Sequence, residues 1–119
     1  MSIICKVILI GESGVGKTCL INRFVSNEYD INEKSTLGVS HFCKNIKFPK
    51  YNKTIDFQIW DTAGQEKYRG IQRLFYKESK IVILVYDITR LSTFTEIKNF
   101  WYNQAKQYTT ENISKQSYY

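Results

Sequence analysis

The most constraining feature of this chain is the segment Gly-Glu-Ser-Gly-Val-Gly-Lys-Thr at residues 11–18, which directly follows the apolar run Ile3–Ile10. The pattern G-x-x-x-x-G-K-[ST] is typical of a loop between a buried strand and a helix, because its glycines let successive backbone N–H groups curl around an anion. Lys17 would add positive charge for the β- and γ-phosphates, and the Thr18 hydroxyl could ligate Mg²⁺. A chance glycine-rich turn would lack the flanking strand and helix. The segment therefore predicts a site for a nucleoside triphosphate.

A second motif lies at the end of another predicted strand. Residues Ile55–Trp60 alternate between apolar and polar types, as in a half-buried strand, and lead into Asp-Thr-Ala-Gly-Gln-Glu at residues 61–66. Asp61 could bind a metal ion through water, the Gly64 N–H could approach a γ-phosphate, and Gln65 could orient an attacking water. Taken alone, this segment could be an ordinary polar turn. Its position after a phosphate loop favours the functional interpretation.

Together these motifs resemble those of the small GTPases, and most closely those of the Rab branch. Residues 11–18 look like the family's phosphate loop, Ser35-Thr36-Leu37-Gly38-Val39 like its switch I motif, and residues 60–66 like its switch II entry. The resemblance runs from Ile4 to about Asn112. Further similar segments are Tyr68-Arg69, Phe75-Tyr76, Ile81 to Tyr86 with Asp87-Ile88-Thr89, Phe94 and Trp101.

The resemblance implies specific roles for the matching residues, with GTP or GDP as the ligand. Thr18 and Thr36 would ligate Mg²⁺ and Asp61 would hold its water shell, while Gln65 would position the hydrolytic water. Tyr29 would pack on the guanine side of the nucleotide, although a loop tyrosine can equally be simple surface packing. The full set of implied nucleotide contacts is Gly11, Glu12, Ser13, Gly14, Val15, Gly16, Lys17, Thr18, Cys19, Tyr29, Thr36 and Gly64.

The chain departs from the family after Thr109. There it reads Thr-Glu-Asn-Ile-Ser-Lys-Gln-Ser-Tyr-Tyr, without the apolar strand and the Asn-Lys-x-Asp motif whose aspartate reads guanine in the family. The family's Ser-Ala-Lys loop, its last two strands and helices and its prenylated cysteines are also absent from these 119 residues. We therefore expect one truncated small GTPase domain over residues 1–119, with weakened recognition of the base.

Three functions are compatible with this pattern. The matching chemistry residues favour Mg²⁺-dependent GTP binding and slow GTP hydrolysis, as in a Rab-like switch of membrane trafficking. The missing base-reading motif favours a catalytically silent interaction fragment with weak or non-specific nucleotide binding. An ATP-using phosphate-loop enzyme is a third alternative, which residues 61–66 disfavour because they look like a GTPase switch.

Protein partners follow from the resemblance as well. Because no arginine is obviously placed to act in cis, a GTPase-activating protein is expected to supply one. An exchange factor and effectors are expected to contact residues near 36–48 and 60–77. Gly-Val-Ser-His-Phe at residues 38–42 replaces the family's usual Gly-Val-Asp-Phe, which leaves effector choice open. We interpret His41, the single histidine, as a solvated or packed strand residue rather than a pH sensor.

Composition and cysteine usage predict a cytoplasmic domain. Cys5, Cys19 and Cys43 are odd in number and fall in predicted strands or a helix, which favours reduced thiols over a disulfide framework. No secretory signal is apparent, and the run Ile3–Ile10 carries Lys6 and is too short to span a bilayer. Membrane attachment through a prenyl anchor is not expected from this chain.

The net charge of +6 does not by itself indicate a nucleic-acid partner. The basic residues fall on a predicted hairpin and on one face of a predicted helix, where solvated surface is the simplest interpretation and an anionic lipid or acidic partner is the alternative. These residues are Lys44, Lys47, Lys50 and Lys53 on the hairpin and Arg69, Arg73 and Lys77 on the helix.

The order of strands and helices predicts an α/β fold of the P-loop NTPase type. We expect a three-layer sandwich with a mostly parallel sheet and one antiparallel hairpin, lacking the C-terminal strands and helices. Apolar spacing in the last helix predicts a broad buried face, and Thr93 with Glu96 predicts a capping box. The predicted elements are strand Ile4–Ile10, helix Lys17–Val25, loop Ser26–Gly38, strands Ser40–Phe48 and Thr54–Trp60, a helix near Ile71–Tyr76, strand Ile81–Asp87 and helix Phe94–Tyr108.

Overall fold

The computed structural model describes residues 2–26, 39–62 and 75–109 of the chain. The strands are β1 (Ser2–Ile10), β2 (Val39–Phe48), β3 (Lys53–Thr62) and β4 (Ile81–Leu84). The helices are α1 (Lys17–Ser26), α2 (Leu91–Glu96) and α3 (Tyr102–Tyr108), with a π-helical segment (Ile97–Trp101) between α2 and α3 and a 3-10 turn (Pro49–Tyr51) between β2 and β3. Phe75 and Tyr76 are helical. The rest of the helix predicted near Ile71–Tyr76, and the predicted loop over residues 27–38, lie outside the described residues.

The four strands form one sheet in the order β2-β3-β1-β4. β1 is parallel to both β3 and β4, so that Ile8 lies beside Trp60 on one side and Val82 on the other. β2 and β3 are antiparallel and form a hairpin, in which Asn52 takes the left-handed conformation that closes the turn. The predicted mostly parallel sheet with one antiparallel hairpin is thereby confirmed.

The alternation of side chains along β1 builds two separate cores. Val7 and Leu9 face α1 and pack in a cluster with Ile21. Ile8 and Ile10 point to the opposite face and pack against Trp101 and its neighbours. Helices therefore cover both faces of the sheet, as predicted for a three-layer sandwich. None of the helices in the described ranges is long and apolar enough to cross a membrane.

β4 is shorter than the predicted strand Ile81–Asp87. Its pairing with β1 ends at Leu84 opposite Ile10, where β1 itself gives way to the glycine loop. One more hydrogen bond follows, from the Val85 N–H to the Ile10 carbonyl at 2.9 Å. Beyond that point no strand partner is available from β1, so the chain turns toward α2.

The helical region at residues 91–108 begins earlier than the predicted Phe94, and the predicted capping box is wrong. Arg90 is the residue that precedes the first turn, and no side chain caps it. Thr93 lies buried inside the first turn, where its hydroxyl accepts a hydrogen bond from the Asp87 N–H at 2.9 Å and donates one to the Arg90 carbonyl at 2.8 Å. The hydroxyl thus serves the turn before the helix instead of the helix N–H groups.

The predicted inner face of this helical region is confirmed. Ile97, Trp101, Gln104 and Ala105 are buried, and Tyr108 stacks on the buried Tyr76 ring at 5.8 Å between centroids. The Tyr76 hydroxyl donates a hydrogen bond to the Gln104 Oε1 at 2.8 Å, which satisfies two polar groups inside the core. Burial raises the pKa of Tyr76 well above its ordinary value, so this hydroxyl keeps its proton.

On the face of the sheet that α1 covers, the part next to β4 is open to solvent. β4 is the last strand of the sheet in the described part of the chain, and Ile81 and Ile83 are each 41 % exposed on its α1 side. They line an entirely apolar cavity of about 320 Å³ together with Leu20 and Phe24 of α1. This opening has no polar group among its described lining residues, which excludes it as a nucleotide site.

Candidate phosphate-binding site

The glycine loop between β1 and α1 lies tightly against the end of β4. A Cβ atom at Gly11 would stand 2.2 Å from the Val85 carbonyl oxygen, a distance that no side chain tolerates. Gly16, just before α1, has φ +97°, which L-residues rarely adopt. Gly14 has φ +78°, so all three glycines are required by the path of the backbone. That path brings the loop to the N-terminus of α1.

Lys17 is the buried cation of this loop. Only 5 % of its surface is exposed, and its Nζ donates hydrogen bonds to the Gly11 carbonyl at 3.0 Å and the Glu12 carbonyl at 2.7 Å. The side chain of the first α1 residue is thus folded back over the loop that precedes it. The Lys17 ammonium is held here by neutral carbonyl groups. A negatively charged phosphate oxygen would accept a stronger hydrogen bond from the same ammonium.

Thr18 and Asp61 meet at the carboxyl edge of the sheet. Because β1 and β3 are parallel, Asp61 on β3 lies beside Leu9 near the end of β1. Asp61 is fully buried, and its Oδ2 accepts a hydrogen bond from the Thr18 hydroxyl across 43 residues of sequence. Asp61 belongs to the strand itself, since β3 runs two residues beyond the predicted end at Trp60.

The donor set of this pair fits Mg²⁺. Mg²⁺ prefers oxygen ligands and is usually held by one or two protein groups together with water and phosphate oxygens. The Thr18 hydroxyl and the Asp61 carboxylate, which are in direct contact, would supply the two protein groups of such a site. No cluster of three or more histidine, cysteine or acidic side chains occurs within the described residues.

The other predicted site residues divide into two groups. The structure brings the nine consecutive residues 11–19 into one loop and first helical turn, with Glu12, Val15 and Cys19 half-buried and Ser13 exposed. Tyr29, Thr36, Gly64 and Gln65 lie outside the described residues.

Two contacts from the β4 side were missed by the sequence analysis. Trp101 Nε1 donates a hydrogen bond to Glu12 Oε1 at 2.8 Å, and Arg90 Nη2 donates one to the Ser13 carbonyl at 3.2 Å. These pairs are 89 and 77 residues apart in the sequence, and no local pattern links them. The only available signal was topological, because the parallel strands β1 and β4 end at the same edge of the sheet.

The turn between β4 and α2 is held by Asp87. Its Oδ1 accepts hydrogen bonds from the Thr89 N–H at 2.8 Å and the Thr89 hydroxyl at 2.6 Å, and its carbonyl accepts the Arg90 N–H at 3.0 Å. The hydrogen bonds from the Thr89 side chain and backbone lower the pKa of Asp87 below its ordinary value. This network sets the direction in which Arg90 leaves the turn.

Away from the loop, an aromatic and basic cluster lies across β1 to β3, with His41 exposed and Trp60 and Lys6 half-buried. The His41 ring on β2 lies 4.9 Å from the Trp60 ring on β3, and the Lys6 Nζ lies 4.7 Å from the same Trp60 ring. Burial lowers the pKa of Lys6, and Glu78 opposes this by favouring the charged form. His41 is exposed, in agreement with its interpretation as a strand residue at the surface.

The predicted solvated lysine stripe needs one correction. Lys44 on β2 is half-buried, and its Nζ lies 4.8 Å from the Phe24 ring and donates a hydrogen bond to the Phe24 carbonyl. It therefore binds the carbonyl end of α1, where a positive charge is favourable. Lys47, Lys50 and Lys53 are exposed, as predicted. Arg69 and Arg73 lie outside the described residues, and Lys77 is exposed.

A glycine loop between a parallel strand and a helix, with an aspartate from the adjacent strand, defines a phosphate-loop α/β domain. The family model for the Ras family matches residues 6–116, and the chain belongs to this family. It is 44 % identical over 108 residues to the Ras-related protein RABA1b of Arabidopsis thaliana, covering 91 % of this chain and 49 % of the relative.

Other relatives are similar to the same extent. The GTP-binding protein ypt3 of Schizosaccharomyces pombe is 44 % identical over 108 residues, which cover 91 % of this chain and 49 % of that protein. The Ras-related protein Rab11E of Lotus japonicus is also 44 % identical over 108 residues, covering 91 % and 48 % respectively. The chain therefore spans about half the length of the curated relatives it matches.

Proposed function

We propose that this chain is a Rab-like switch that binds GTP and GDP with Mg²⁺ and hydrolyses GTP slowly in membrane trafficking. The observation that carries the proposal is the contact of Thr18 with the buried Asp61 beside the loop that holds Lys17. Support also comes from the Rab and Ypt relatives, one of which is named a GTP-binding protein. A cytoplasmic setting and the usual regulators of such switches are part of the proposal.

The described residues would act mainly by binding and orienting the phosphates. Lys17 and the loop N–H groups would hold the β- and γ-phosphates, while Thr18 and Asp61 would share the Mg²⁺ shell with Thr36. The metal ion would supply charge neutralisation on the phosphate oxygens. Gln65 would orient the attacking water, Gly64 would contact the γ-phosphate, and Tyr29 would pack on the base. A GTPase-activating protein, an exchange factor and effectors would use residues 36–48 and 60–77.

A second candidate function is a catalytically silent interaction fragment. It is favoured by one sequence observation, because the 119 residues contain no Asn-Lys-x-Asp motif. Two hydrogen bonds to a charged acceptor contribute roughly 1.5–3 kcal/mol each, so their loss would weaken guanine binding by about two to four decades. On this alternative the switch-like surface would persist while selectivity for GTP over ATP would not.

Direct titration distinguishes these functions. Fluorescent GDP, a non-hydrolysable GTP analogue and an ATP analogue are titrated with the nucleotide-free chain in the presence of Mg²⁺. Saturable binding of guanine nucleotides, lost in Lys17→Ala and reduced by chelation of Mg²⁺, supports the switch. Absence of saturable binding by a folded chain contradicts it. Equal affinity for the GTP and ATP analogues would show that the base is not read.

A further inference from the structure

We propose that Arg90 is a positioning residue of the phosphate loop: it orients the Ser13–Gly14 peptide so that the Gly14 N–H points into the phosphate site, and it adds a positive charge beside that site. This inference rests on the proposed nucleotide-binding function. It assigns a role to an arginine from the turn before α2, whereas the loop pattern itself contains only Lys17 as a cation.

The first support is the position of the guanidinium against the loop. Arg90 Nη2 donates a hydrogen bond to the Ser13 carbonyl at 3.2 Å, and Nη1 lies 3.5 Å from the place that a Cβ of Gly14 would occupy. Two nitrogens of one planar group thus border the same peptide unit. An arginine is suited to this contact because its fork of donors keeps a fixed geometry.

The second support is the geometry of the peptide bond. In a trans peptide the C=O of one residue and the N–H of the next point in opposite directions. A Ser13 carbonyl held toward Arg90 therefore directs the Gly14 N–H away from Arg90. The Lys17 ammonium holds the Gly11 and Glu12 carbonyls in the same loop, so bound carbonyl groups orient successive peptides. Oriented N–H groups of this kind form anion-binding loops.

The third support is that Arg90 comes from a rigid turn. The Arg90 N–H donates to the Asp87 carbonyl at 3.0 Å, and the Arg90 carbonyl accepts the Thr93 hydroxyl at 2.8 Å. Both backbone groups of Arg90 are therefore engaged. The turn is also tied to the sheet, since Val85 bonds to Ile10 at the base of the loop. A long side chain that starts from a fixed backbone loses less conformational freedom when it binds the loop.

The test separates the charge from the hydrogen bond with three substitutions. Arg90→Ala removes both, Arg90→Gln keeps a neutral donor, and Arg90→Lys keeps the charge. Arg23→Gln is the matched control, because it removes one arginine charge from the exposed face of α1. Fluorescent GDP with Mg²⁺ is the probe, and the dissociation rate and affinity are measured at low and high salt.

We expect Arg90→Ala to bind roughly threefold to tenfold more weakly, mainly through faster dissociation, with Arg90→Lys recovering a large part at low salt. Arg23→Gln should change affinity less than Arg90→Gln does. Thermal melts of all variants should stay close to the parent, since Arg90 is exposed. If the melting temperature falls only in Arg90→Ala, the affinities of Arg90→Gln and Arg90→Lys decide the test.

Two outcomes have distinct meanings. If the parent chain binds GDP and the Arg90 variants bind as tightly as Arg23→Gln, the inference is overturned while the proposed function stands. If the folded parent chain does not bind GDP at all, the proposed function fails and the inference fails with it.

Discussion

At the scale of single residues, the side chains of the candidate site could be predicted from the sequence to different extents. Lys17 and Thr18 follow directly from the loop pattern, because the motif has a fixed spacing and these two residues begin α1. Asp61 follows from strand order, since two parallel strands that are neighbours end at the same edge. The contacts of Arg90 and Trp101 with the loop were not predicted, because they depend on side-chain reach across the sheet.

Gln65→Leu tests the proposed hydrolytic step. Leucine has no group that can orient water, while the residues that would hold the phosphates are unchanged. We expect the single-turnover hydrolysis rate of bound GTP to fall by about a factor of ten or more, with GDP affinity within about twofold of the parent. Thr18→Asn is the contrasting variant and should weaken Mg²⁺-dependent binding itself. Equal hydrolysis rates in the parent and Gln65→Leu would contradict the assignment.

Asp87 is expected to make stability depend on pH. Its pKa is lowered in the folded state by the Thr89 hydrogen bonds, so the ionised form is favoured by folding. The stabilisation is present above the ordinary value of about 3.9 and is lost as the pH falls through the lower, folded-state pKa. When the pH is lowered from neutral to strongly acid, the stability of Asp87→Asn should therefore fall less than that of the parent.

The measurement is the melting temperature as a function of pH. Thr89→Val is the companion variant, because it removes the hydroxyl at 2.6 Å while the backbone N–H bond at 2.8 Å persists. It should show an intermediate dependence. Identical pH profiles for the parent and Asp87→Asn would rule out this source of acid sensitivity.

At the scale of elements, the buried face of the helical region 91–108 was predicted correctly, but its first residue was not. Its buried stripe was predictable because the helical period places Ile97, Trp101 and Ala105 on one side. Its start was not, because a threonine followed three residues later by glutamate has the same local pattern whether its hydroxyl caps a helix or binds the preceding turn. Thr93 binds the turn, since Asp87 and Arg90 offer it backbone partners.

The bond between Tyr76 and Gln104 is expected to stabilise the packing of this helical region. Tyr76→Phe keeps the ring and removes the donor, leaving a buried amide oxygen without this partner. An unpaired buried acceptor costs about 1–3 kcal/mol, so the free energy of unfolding should fall by that amount. Chemical denaturation measures the change.

Tyr102→Phe is the control for this substitution, because Tyr102 lies at 38 % exposure in the same helical region. We expect less than about 0.5 kcal/mol for that surface position. A Tyr76→Phe variant as stable as Tyr102→Phe would mean that water replaces the lost donor.

At the scale of the whole molecule, the sheet order follows from general rules, while the opening beside β4 does not. Alternating strands and helices predict a parallel sheet, and a short turn around Pro49 predicts the hairpin. The cavity bordered by Ile81 and Ile83 depends on which surface α1 covers, a matter of packing that apolar runs do not specify. An apolar run is equally compatible with a strand covered on both faces.

The exposed edge of β4 predicts self-association of this chain. Among the described strands, β4 pairs on one edge only, with β1, and its α1 side is partly exposed and apolar. A strand of this kind can pair with a second copy. Light scattering and size-exclusion chromatography at increasing concentration should show oligomers or aggregates. Ile83→Lys should reduce them, since a charge at an edge disfavours pairing.

Ile88→Lys is the matched control, because Ile88 is 88 % exposed but lies in the turn before α2. It should leave self-association nearly unchanged. A parent chain that stays monomeric at high concentration and melts cooperatively at about 45–65 °C, like an ordinary mesophilic domain, would contradict the prediction.

The position of β1 between β3 and β4 bears on the order in which the sheet unfolds. Residues Val7–Ile10 are hydrogen-bonded to β4, and this stretch also borders β3 and contributes to both cores. Amide protons here exchange with solvent only when β1 separates from a neighbouring strand, so we expect slow exchange at this stretch, slowest for the amides that face β3. The same stretch ends at Gly11. We therefore expect the base of the phosphate loop to stay in place while the ends of the sheet fray.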